Sequence, residues 1–433
     1  MEIKRDVYLN RLIVRKQNGF IKVITGIRRS GKSYLLNTLF YNHLISDGVD
    51  DNHIIKFAFD SADDLMKIGE NPIVLDNERE DRKVDPVKFL NWLQPQIADK
   101  DTYYLLLDEV QKLGAFESVM NGFLRKSNLD VYVTGSNSKF LSKDILTEFE
   151  GRGDEIHVLP LSFSEYYAFK NGDKSETFDE YSVYGGLPAV ALMATEEQKS
   201  NYLISQMQNL YLRDIINRYG LQDEAIIGDV LDVIASGIST LTNPRNIANT
   251  MNTVRGGSIC DATVDRYISH MEDAFMLSRV KRFNIKGRKY IGTPYKIYFE
   301  DIGLRNARLN FRQIEGTHIM ENVIYNELRY RGYQVDVGVV ESREKDVKGK
   351  EIRVQREIDF IATLGSKKYY IQSAYAIPDQ EKYEQETVSF DKTMDSFKKI
   401  VIVEKSMKPR RDEKGYVMMG VKEFLLDQNS LEA

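Results

Sequence analysis

Short apolar runs separated by longer amphipathic stretches dominate the first 160 residues. Apolar residues cluster at 20–24, 54–59, 103–107 and 131–133, and the third run is unbroken. Continuous apolar runs of this length are typical of strands that are buried on both faces of a parallel sheet. Between two of them, apolar positions recur at helical spacing, as at Val87, Leu90 and Ile97. The pattern predicts an α/β domain built on a parallel sheet.

The pattern changes twice further along the chain. Residues 164–224 have helical spacing, and three shorter helices are predicted from 225 to 275, followed by a two-stranded ribbon that turns at Lys286-Gly287. Three helices and a ribbon predict a winged helix-turn-helix. From about Arg312 a helix, three strands and a closing strand and helix predict a further α/β layer. We therefore expect three domains, at 1–195, 196–311 and 312–433.

A phosphate-binding loop follows the first predicted strand. Gly26, four residues, then Gly31-Lys32-Ser33 stand between that strand and a helical run. The glycines let backbone N–H groups surround a polyphosphate, and the helix that follows aims its positive dipole end at the same anion. Lys32 is expected to reach the β- and γ-phosphates of ATP, and the Ser33 hydroxyl to take one position on Mg²⁺. The predicted nucleotide-binding residues are Gly26, Ile27, Arg28, Arg29, Ser30, Gly31, Lys32, Ser33 and Tyr34.

Two acids end the third apolar run, as Asp108-Glu109. Parallel strands point their carboxyl ends at the ligand crevice, so Asp108 is expected to lie beside the loop and to hold Mg²⁺. Glu109 is then the candidate base for the attacking water. The plainer alternative, two acids at a strand end, requires the loop motif to be accidental as well.

Small polar residues end the fourth apolar run. Asn137, with Ser136 or Thr134 as substitutes, could hydrogen-bond the γ-phosphate or the lytic water. Turn-forming residues are also common after strands without any such role. The two interpretations stay open here.

Several segments together resemble one family. GIRRSGKS, LLLDEVQ, VTGSNS, EGRGDEIHVLPLSFSEYY and YGGLP are similar to bacterial and archaeal AAA-type ATPases that carry a C-terminal domain of unknown function, DUF4143. The resemblance implies an AAA+-like core in which Asn137 is the sensor and Arg152 an arginine finger acting in an oligomer. From its chemistry alone, Arg152 in a Gly-flanked loop is as well explained as a surface charge or a carboxylate partner. We favour a hinge for Gly185-Gly186 of YGGLP.

The charge distribution bears on partners. The 433 residues have a net charge of −5, yet residues 243–312 contain 13 Lys and Arg against 6 Asp and Glu. Contact with DNA phosphates would explain this excess, although winged domains also serve as protein-binding or lid elements. The basic residues of the ribbon are Arg279, Lys281, Arg282, Lys286, Arg288 and Lys289.

The compartment follows from what the sequence lacks. No apolar run approaches the roughly 20 residues of a membrane-spanning helix, and Cys260 is the single cysteine. We expect a cytoplasmic protein that does not contact the membrane.

The last third has the layout of a PD-(D/E)xK nuclease, with an incomplete site. Glu321 and Asp359 could hold a metal, but Gln372-Ser373-Ala374 stands where Glu-x-Lys is expected, so the lysine is missing. We predict no nuclease activity and a structural role for the acids.

The resulting expectation is an ATPase that uses Mg²⁺-ATP and couples nucleotide state to movement of the other domains. The alternatives are a nucleotide-gated binding module with little turnover and a metal-dependent nuclease regulated by ATP. A small-molecule kinase fits least well, because adjacent Asp108-Glu109 suits water activation.

Overall fold

A computed structural model describes residues 3–75, 82–135, 149, 151–256, 258–345 and 350–432. The chain forms two compact units, one of Met1–Leu159 with Asp273–Phe275, the other of Pro160–Glu272 with Met276–Ala433. The three-domain division stays a prediction. Among the helices that the structure describes, none combines the length and apolar character needed to span a bilayer.

The first unit contains the predicted parallel sheet. Its strands lie in the order β2-β3-β4-β1-β5, and every neighbouring pair is parallel. All residues of β1 and β3 are buried, which is why their sequences are mostly apolar. The strands are β1 (Ile21–Thr25), β2 (Ile54–Ala58), β3 (Tyr103–Asp108), β4 (Leu129–Thr134) and β5 (Gly153–His157).

Helices connect these strands. The predicted helix after residue 85 begins at Pro86, where the Asp85 carboxylate caps it by accepting a hydrogen bond from Val87 N at 2.8 Å. After the loop, one helical run passes through a π-helical segment, Leu35–Phe40. The helices of this unit are Asp6–Ile13, Lys32–Tyr34, Tyr41–Ser46, Ala62–Lys67, Pro72–Leu75, Pro86–Leu93 and Phe116–Phe123.

The second unit is built on an eight-stranded mixed sheet in the order β12-β13-β11-β10-β9-β8-β6-β7. Residues from β8 to β11, including Val340, Ile361, Tyr370 and Val401, form a buried apolar cluster on it. The strands are β6 (Leu277–Asn284), β7 (Lys289–Phe299), β8 (Gln334–Lys345), β9 (Glu351–Leu364), β10 (Lys367–Ala374), β11 (Lys398–Val403), β12 (Arg410–Arg411) and β13 (Val417–Gly420).

The helices of the second unit precede and flank this sheet. They include a π-helical segment, Gln206–Leu212, inside the long run that was predicted to be helical. The α-helices are Phe163–Lys170, Lys174–Tyr184, Pro188–Ala191, Glu196–Ser205, Arg213–Tyr219, Glu224–Ser236, Pro244–Arg255, Asp261–Asp273, Ile302–Arg308, Gly316–Tyr330, Gln380–Asp391 and Val421–Leu426.

The predicted helices and ribbon of the winged region are present as secondary structure. Three helices precede the antiparallel hairpin β6–β7, and Thr242, between the first two, pairs with Tyr295 of β7. However, β6 also pairs in parallel with β8, through Arg282 and Val337 among others. The hairpin is therefore the edge of the large sheet, and the winged-helix assignment itself stays a prediction.

The YGGLP segment is a packed turn. Gly186 N donates to Asp301 Oδ2 at 2.8 Å, and a Cβ on Gly186 would lie 2.3 Å from the Leu161 carbonyl oxygen. Gly185 has φ 73°, and its Cβ would meet the same Asp301 carboxylate at 2.4 Å. Close packing around Asp301 accounts for both glycines, so the expected hinge is not supported by these contacts.

Candidate functional site

The loop after β1 has the backbone of an anion cradle. Gly26 (φ 133°), Arg29 (φ 63°) and Gly31 (φ 94°) all have positive φ within six residues. A Cβ on Gly26 would lie 2.1 Å from the Val158 carbonyl oxygen, so this position accepts glycine alone. Gly31 leads directly into the helix that begins at Lys32. The sequence motif thus corresponds to a tight turn at a helix start, as its spacing predicted.

The side chains of the loop differ in their exposure. Lys32 is 5 % exposed, and its Nζ donates to the carbonyl oxygens of Gly26 and Ile27, each at 3.0 Å. The ammonium group is thus held inside the ring of the loop. The buried Ser30 hydroxyl has no hydrogen-bond partner among the described residues, whereas Arg28 is half-exposed and Arg29 is exposed.

Asp108 lies beside the loop, although β4 separates its strand from β1 in the sheet. Its carboxylate hydrogen-bonds the Ser33 hydroxyl and accepts from Asn37 Nδ2 at 3.3 Å. Burial raises the pKa of Asp108, while the hydrogen bonds from Thr134 and Ser33 oppose that rise. The two residues that were predicted to share a metal ion are therefore in direct contact.

Thr134, the last residue of β4, links the two acids. Its buried hydroxyl donates to Asp108 Oδ1 and accepts from the Glu109 backbone N at 3.0 Å. The donor hydrogen of the Thr134 hydroxyl is thus engaged by Asp108, and the suggestion that Thr134 could substitute for Asn137 at the γ-phosphate or the lytic water stays a prediction. Asn137 and Ser136 lie outside the described residues.

Glu109 turns away from the strand direction at the end of β3. Its φ of 52° is in the left-handed region, and Gln111 Nε2 donates to its Oε2 atom. The carboxylate is half-exposed. A carboxylate that is oriented by an amide and open to solvent has the position that a base for a water molecule needs.

Asp60 is an acid that the sequence reasoning missed. It follows β2, the strand next to β3, and Glu109 is close enough to affect its titration. Burial raises the pKa of Asp60 and the Glu109 charge adds to this, whereas Lys112 and Arg28 act against it. The available signal was its position, since Asp60 stands two residues after the end of its strand and Asp108 ends the neighbouring one.

Arg152 lies at the end of the sheet where β1 begins, and the loop lies at the other end, where β1 ends. Its carbonyl oxygen accepts from Ile21 N at 2.9 Å, and the next residue, Gly153, pairs with Ile21 at the start of β1. A five-residue strand places this end roughly 15 Å from the loop. Arg152 is therefore distant from the cradle of its own chain, and the arginine-finger prediction concerns a neighbouring subunit only.

The basic residues of the ribbon are divided between two environments. Arg279 pairs with Glu272 and Asp265, and Arg282 is 8 % exposed and donates to Gln355. These two are not available to a phosphate backbone. The exposed members are Lys281, Lys286, Arg288 and Lys289.

A lysine lies among the acids that the sequence assigned to an incomplete nuclease-like site. Lys296 of β7, 3 % exposed, places its Nζ 2.8 Å from Glu321 Oε1, 2.8 Å from Glu357 Oε1 and 3.0 Å from Asp359 Oδ1. The expectation that this site lacks a lysine is therefore wrong. The motif could not reveal Lys296, because it comes from a strand outside the segment that carries the pattern. Gln372 is bonded elsewhere, to Glu386 at 3.3 Å.

Lys296 and the three carboxylates around it partly neutralise one another. Burial by itself would lower the pKa of Lys296, but the three carboxylates outweigh it and hold that pKa well above its usual value. Burial raises the pKa of Glu321, with Asp359 adding a second negative charge against the attraction of Lys296. Tyr298 OH also donates to Glu321 at 2.6 Å, and Ser373 N donates to Asp359 at 2.9 Å.

Two family models match the chain. Residues 18–167 match an AAA domain, AAA_14, and residues 175–315 match a domain of unknown function, DUF8612. The first match supports the AAA-type core that the resemblance implied. The expected DUF4143 assignment is not shown, since the model matched in the second unit is DUF8612.

Proteins similar to this chain include two relatives by sequence and one solved structure. An uncharacterized protein of Methanocaldococcus jannaschii, MJ1544, is 26 % identical over 92 % of this chain and 82 % of its own length. The Walker-type ATPase PABY2304 of Pyrococcus abyssi superposes over 71 % of this chain and 96 % of its own, with a TM-score of 0.49 and 14 % identity.

A protein of Haemophilus influenzae, described as uncharacterized, is 32 % identical over 410 residues, which are 93 % of this chain and 94 % of the relative. Identity at this level over almost the full length of both chains defines a common family. This chain, with its AAA domain at residues 18–167, belongs to the same protein family as the Haemophilus influenzae protein.

Proposed function

We propose that the protein is an ATPase that binds Mg²⁺-ATP at residues 26–34 and hydrolyses it. The contact between Ser33 and Asp108 is the observation that carries this proposal. It joins the anion-binding loop to the acidic strand end, and phosphoryl transfer to water requires both within reach of one phosphate group. The match to an AAA domain over residues 18–167 supports the same activity.

The residues of the loop fit a nucleotide and its metal ion. Its backbone amides would bind phosphate oxygens, and Lys32 would add a positive charge at the mouth of the cradle. Ser33 and Asp108 offer a hydroxyl and a carboxylate oxygen, which are the ligand types that Mg²⁺ prefers. Bound Mg²⁺ would supply charge neutralisation between the β- and γ-phosphates.

Glu109 is proposed as the base. Gln111 orients its carboxylate, which would accept a proton from the attacking water, and the Thr134 contact fixes the backbone from which it extends. Asn137 as sensor and Arg152 as a finger that reaches a neighbouring subunit remain parts of the proposal. The finger implies an oligomer, in which one subunit completes the site of the next.

We further propose that nucleotide state is coupled to a partner-binding surface in the second unit. Four exposed basic side chains near the hairpin turn would contact DNA phosphates, and a protein partner is the alternative. Beside the hairpin, a cavity of about 860 Å³ is lined by acids as well as bases, including Asp261, Asp265 and Arg245. Mixed charge at that cavity, which Lys281 also lines, favours Lys286, Arg288 and Lys289 at the turn over the cavity as the phosphate contact.

The cluster around Lys296 is proposed to be structural, without nuclease activity. Three carboxylates already surround one ammonium group at hydrogen-bonding distance. The ammonium neutralises part of the charge that a metal ion would otherwise compensate. The alternative function, a metal-dependent nuclease, requires these acids to leave Lys296 and bind the metal.

Lys32→Ala is expected to weaken ATP binding by about 10- to 100-fold, since it removes a charged donor worth about 1.5–3 kcal/mol. Titration calorimetry with ATP and Mg²⁺ measures the affinity, and phosphate release measures turnover. Lys16→Ala, which removes a surface lysine paired with Asp47, should leave both unchanged. Unchanged affinity and rate in Lys32→Ala would remove the proposed site.

Glu109→Gln is expected to retain ATP but to lose about 10²- to 10⁴-fold in the rate of hydrolysis, because the amide cannot accept the proton. Single-turnover hydrolysis of bound ATP measures this step. Glu117→Gln, the same substitution in the helix Phe116–Phe123, serves as the control. Full activity in Glu109→Gln would place the base elsewhere, and slow single turnover in the wild type would favour the gated binding module.

DNA binding through the hairpin turn predicts an affinity that falls steeply with salt. Replacing the four exposed basic residues by Ala should lower the slope of log K against log[salt] by up to about 0.9 for each phosphate that is no longer neutralised. Fluorescence anisotropy with a short duplex at several salt concentrations measures the slope. Binding without salt dependence would favour a protein partner. So would an equal loss in a control that replaces four other exposed basic residues. The variant carries changes at Lys281, Lys286, Arg288 and Lys289, and the control at Lys405, Lys408, Arg410 and Arg411.

Lys296→Met is expected to destabilise the fold by about 3–5 kcal/mol, because it leaves buried carboxylates without their partner. Urea unfolding measures the loss. Lys422→Met should cost less, since Lys422 is equally buried but its partner Glu404 is 37 % exposed. Cleavage of plasmid by the wild type with Mg²⁺ or Mn²⁺, abolished by Asp359→Ala, would instead establish the nuclease.

A further inference from the structure

The N-terminal segment contacts the phosphate-binding loop through Arg5. Arg5 stands immediately before the helix Asp6–Ile13 and is 2 % exposed. Its Nη1 atom donates to the Ser30 carbonyl oxygen at 2.9 Å, and its Nη2 atom donates to the Leu159 carbonyl oxygen at 2.7 Å. One guanidinium group thus bridges the loop and the segment that follows β5.

The contact with Ser30 fixes the direction of an amide in the cradle. The Ser30 carbonyl and the Gly31 N–H belong to one peptide group, which is planar and trans, so the two bonds point in opposite directions. Because Arg5 binds the carbonyl, the Gly31 N–H is directed away from Arg5. Gly31 itself has φ 94° and precedes the helix at Lys32, a position where backbone amides bind anions.

The same contact strengthens that amide as a donor. A hydrogen bond from a charged guanidinium is stronger than one between neutral groups. Hydrogen bonds at the two ends of a peptide group polarise one another, so a cationic donor on the Ser30 oxygen makes the Gly31 N–H a better donor to phosphate. The effect requires no contact between Arg5 and the nucleotide.

Leu159, which accepts the second hydrogen bond of Arg5, is itself held by other contacts. Leu159 N donates to Tyr8 OH at 3.0 Å, and the Arg5 guanidinium lies 4.7 Å from the centre of the Tyr8 ring, which is fully buried. One residue earlier, Val158 N donates to the Thr25 carbonyl at 2.7 Å. The guanidinium is therefore held from two sides, and it can define where Ser30 lies.

We propose that Arg5 is a positioning residue for phosphate binding: it orients and polarises the Ser30–Gly31 peptide so that the Gly31 amide donates to a phosphate group of the nucleotide. This inference rests on the proposed nucleotide site. It assigns part of the affinity for the polyphosphate to a side chain 25 residues away from Ser30 in the sequence. A lysine at position 5 carries the same charge but lacks the planar fork that serves two carbonyl groups together.

The test compares Arg5→Ala and Arg5→Lys with Arg15→Ala in the full chain. Arg15 lies in the same segment and pairs with Asp154 at 2.9 Å, near the opposite edge of the sheet, so its removal controls for charge. Titration calorimetry gives affinities for ATP and for ADP. We expect Arg5→Ala to weaken both by about tenfold or more, the range for removal of one donor to a charged group. Arg5→Lys should be intermediate and Arg15→Ala unchanged.

Hydrogen exchange of the nucleotide-free proteins provides a readout that does not depend on ATP. Amides of residues 27–33 should exchange faster in Arg5→Ala than in the wild type. Tyr8→Phe removes the hydroxyl that holds Leu159 but neither of the two Arg5 hydrogen bonds, so it should lower stability and weaken nucleotide affinity much less than Arg5→Ala does. An equal loss of affinity in Tyr8→Phe would mean that general loosening, not the Ser30 contact, weakens binding, and would overturn the inference.

The outcomes separate this inference from the function on which it rests. A wild-type protein that binds neither ATP nor ADP removes both. If the wild type binds and both Arg5 variants bind equally well, the inference alone is wrong. Should Arg5→Ala fail to fold, Arg5→Lys decides the question: wild-type affinity in that variant overturns the proposal, and a loss of both ATP and ADP affinity with faster loop exchange supports it.

Discussion

The contact between the Ser33 hydroxyl and the Asp108 carboxylate is the interaction on which the rest of the site depends. β4 lies between the strand that leads to the loop and the strand that ends in Asp108, so the two cannot meet through adjacent pairing. The helix that begins at Lys32 carries Ser33 and Asn37 across this gap. Thr134, at the end of the intervening strand, donates to the Asp108 carboxylate and accepts from the Glu109 backbone N.

The parts of this site that the sequence reveals are those encoded within a few consecutive residues. The loop spacing, the apolar strands and Asp108-Glu109 could be predicted because local sequence determines them. The contacts that Thr134, Asp60 and Arg5 make in the site join distant segments, so sequence spacing does not reveal those contacts. The same limit explains Lys296, which reaches the acids from β7 and not from the strand on which the nuclease pattern expects its lysine.

Composition alone also overstated the basic character of the hairpin. Six basic residues between 279 and 289 suggested one continuous phosphate-binding surface, yet Arg279 and Arg282 are engaged by Glu272, Asp265 and Gln355. A count of charges cannot separate paired from exposed side chains, because pairing depends on which strands and helices lie alongside. The exposed remainder is compact and close to the turn.

The pairing of β6 with β8 restricts what the hairpin can do mechanically. A hairpin joined to its domain only at one end can pivot, but this hairpin continues an eight-stranded sheet through Arg282, Phe283 and Asn284. Reorienting it would require breaking ladder hydrogen bonds inside a buried layer, so the turn is presented on a stiff platform. A molecule that bound at the turn would have to adapt its own shape to it. A change of state in this unit would then move that molecule together with the whole sheet.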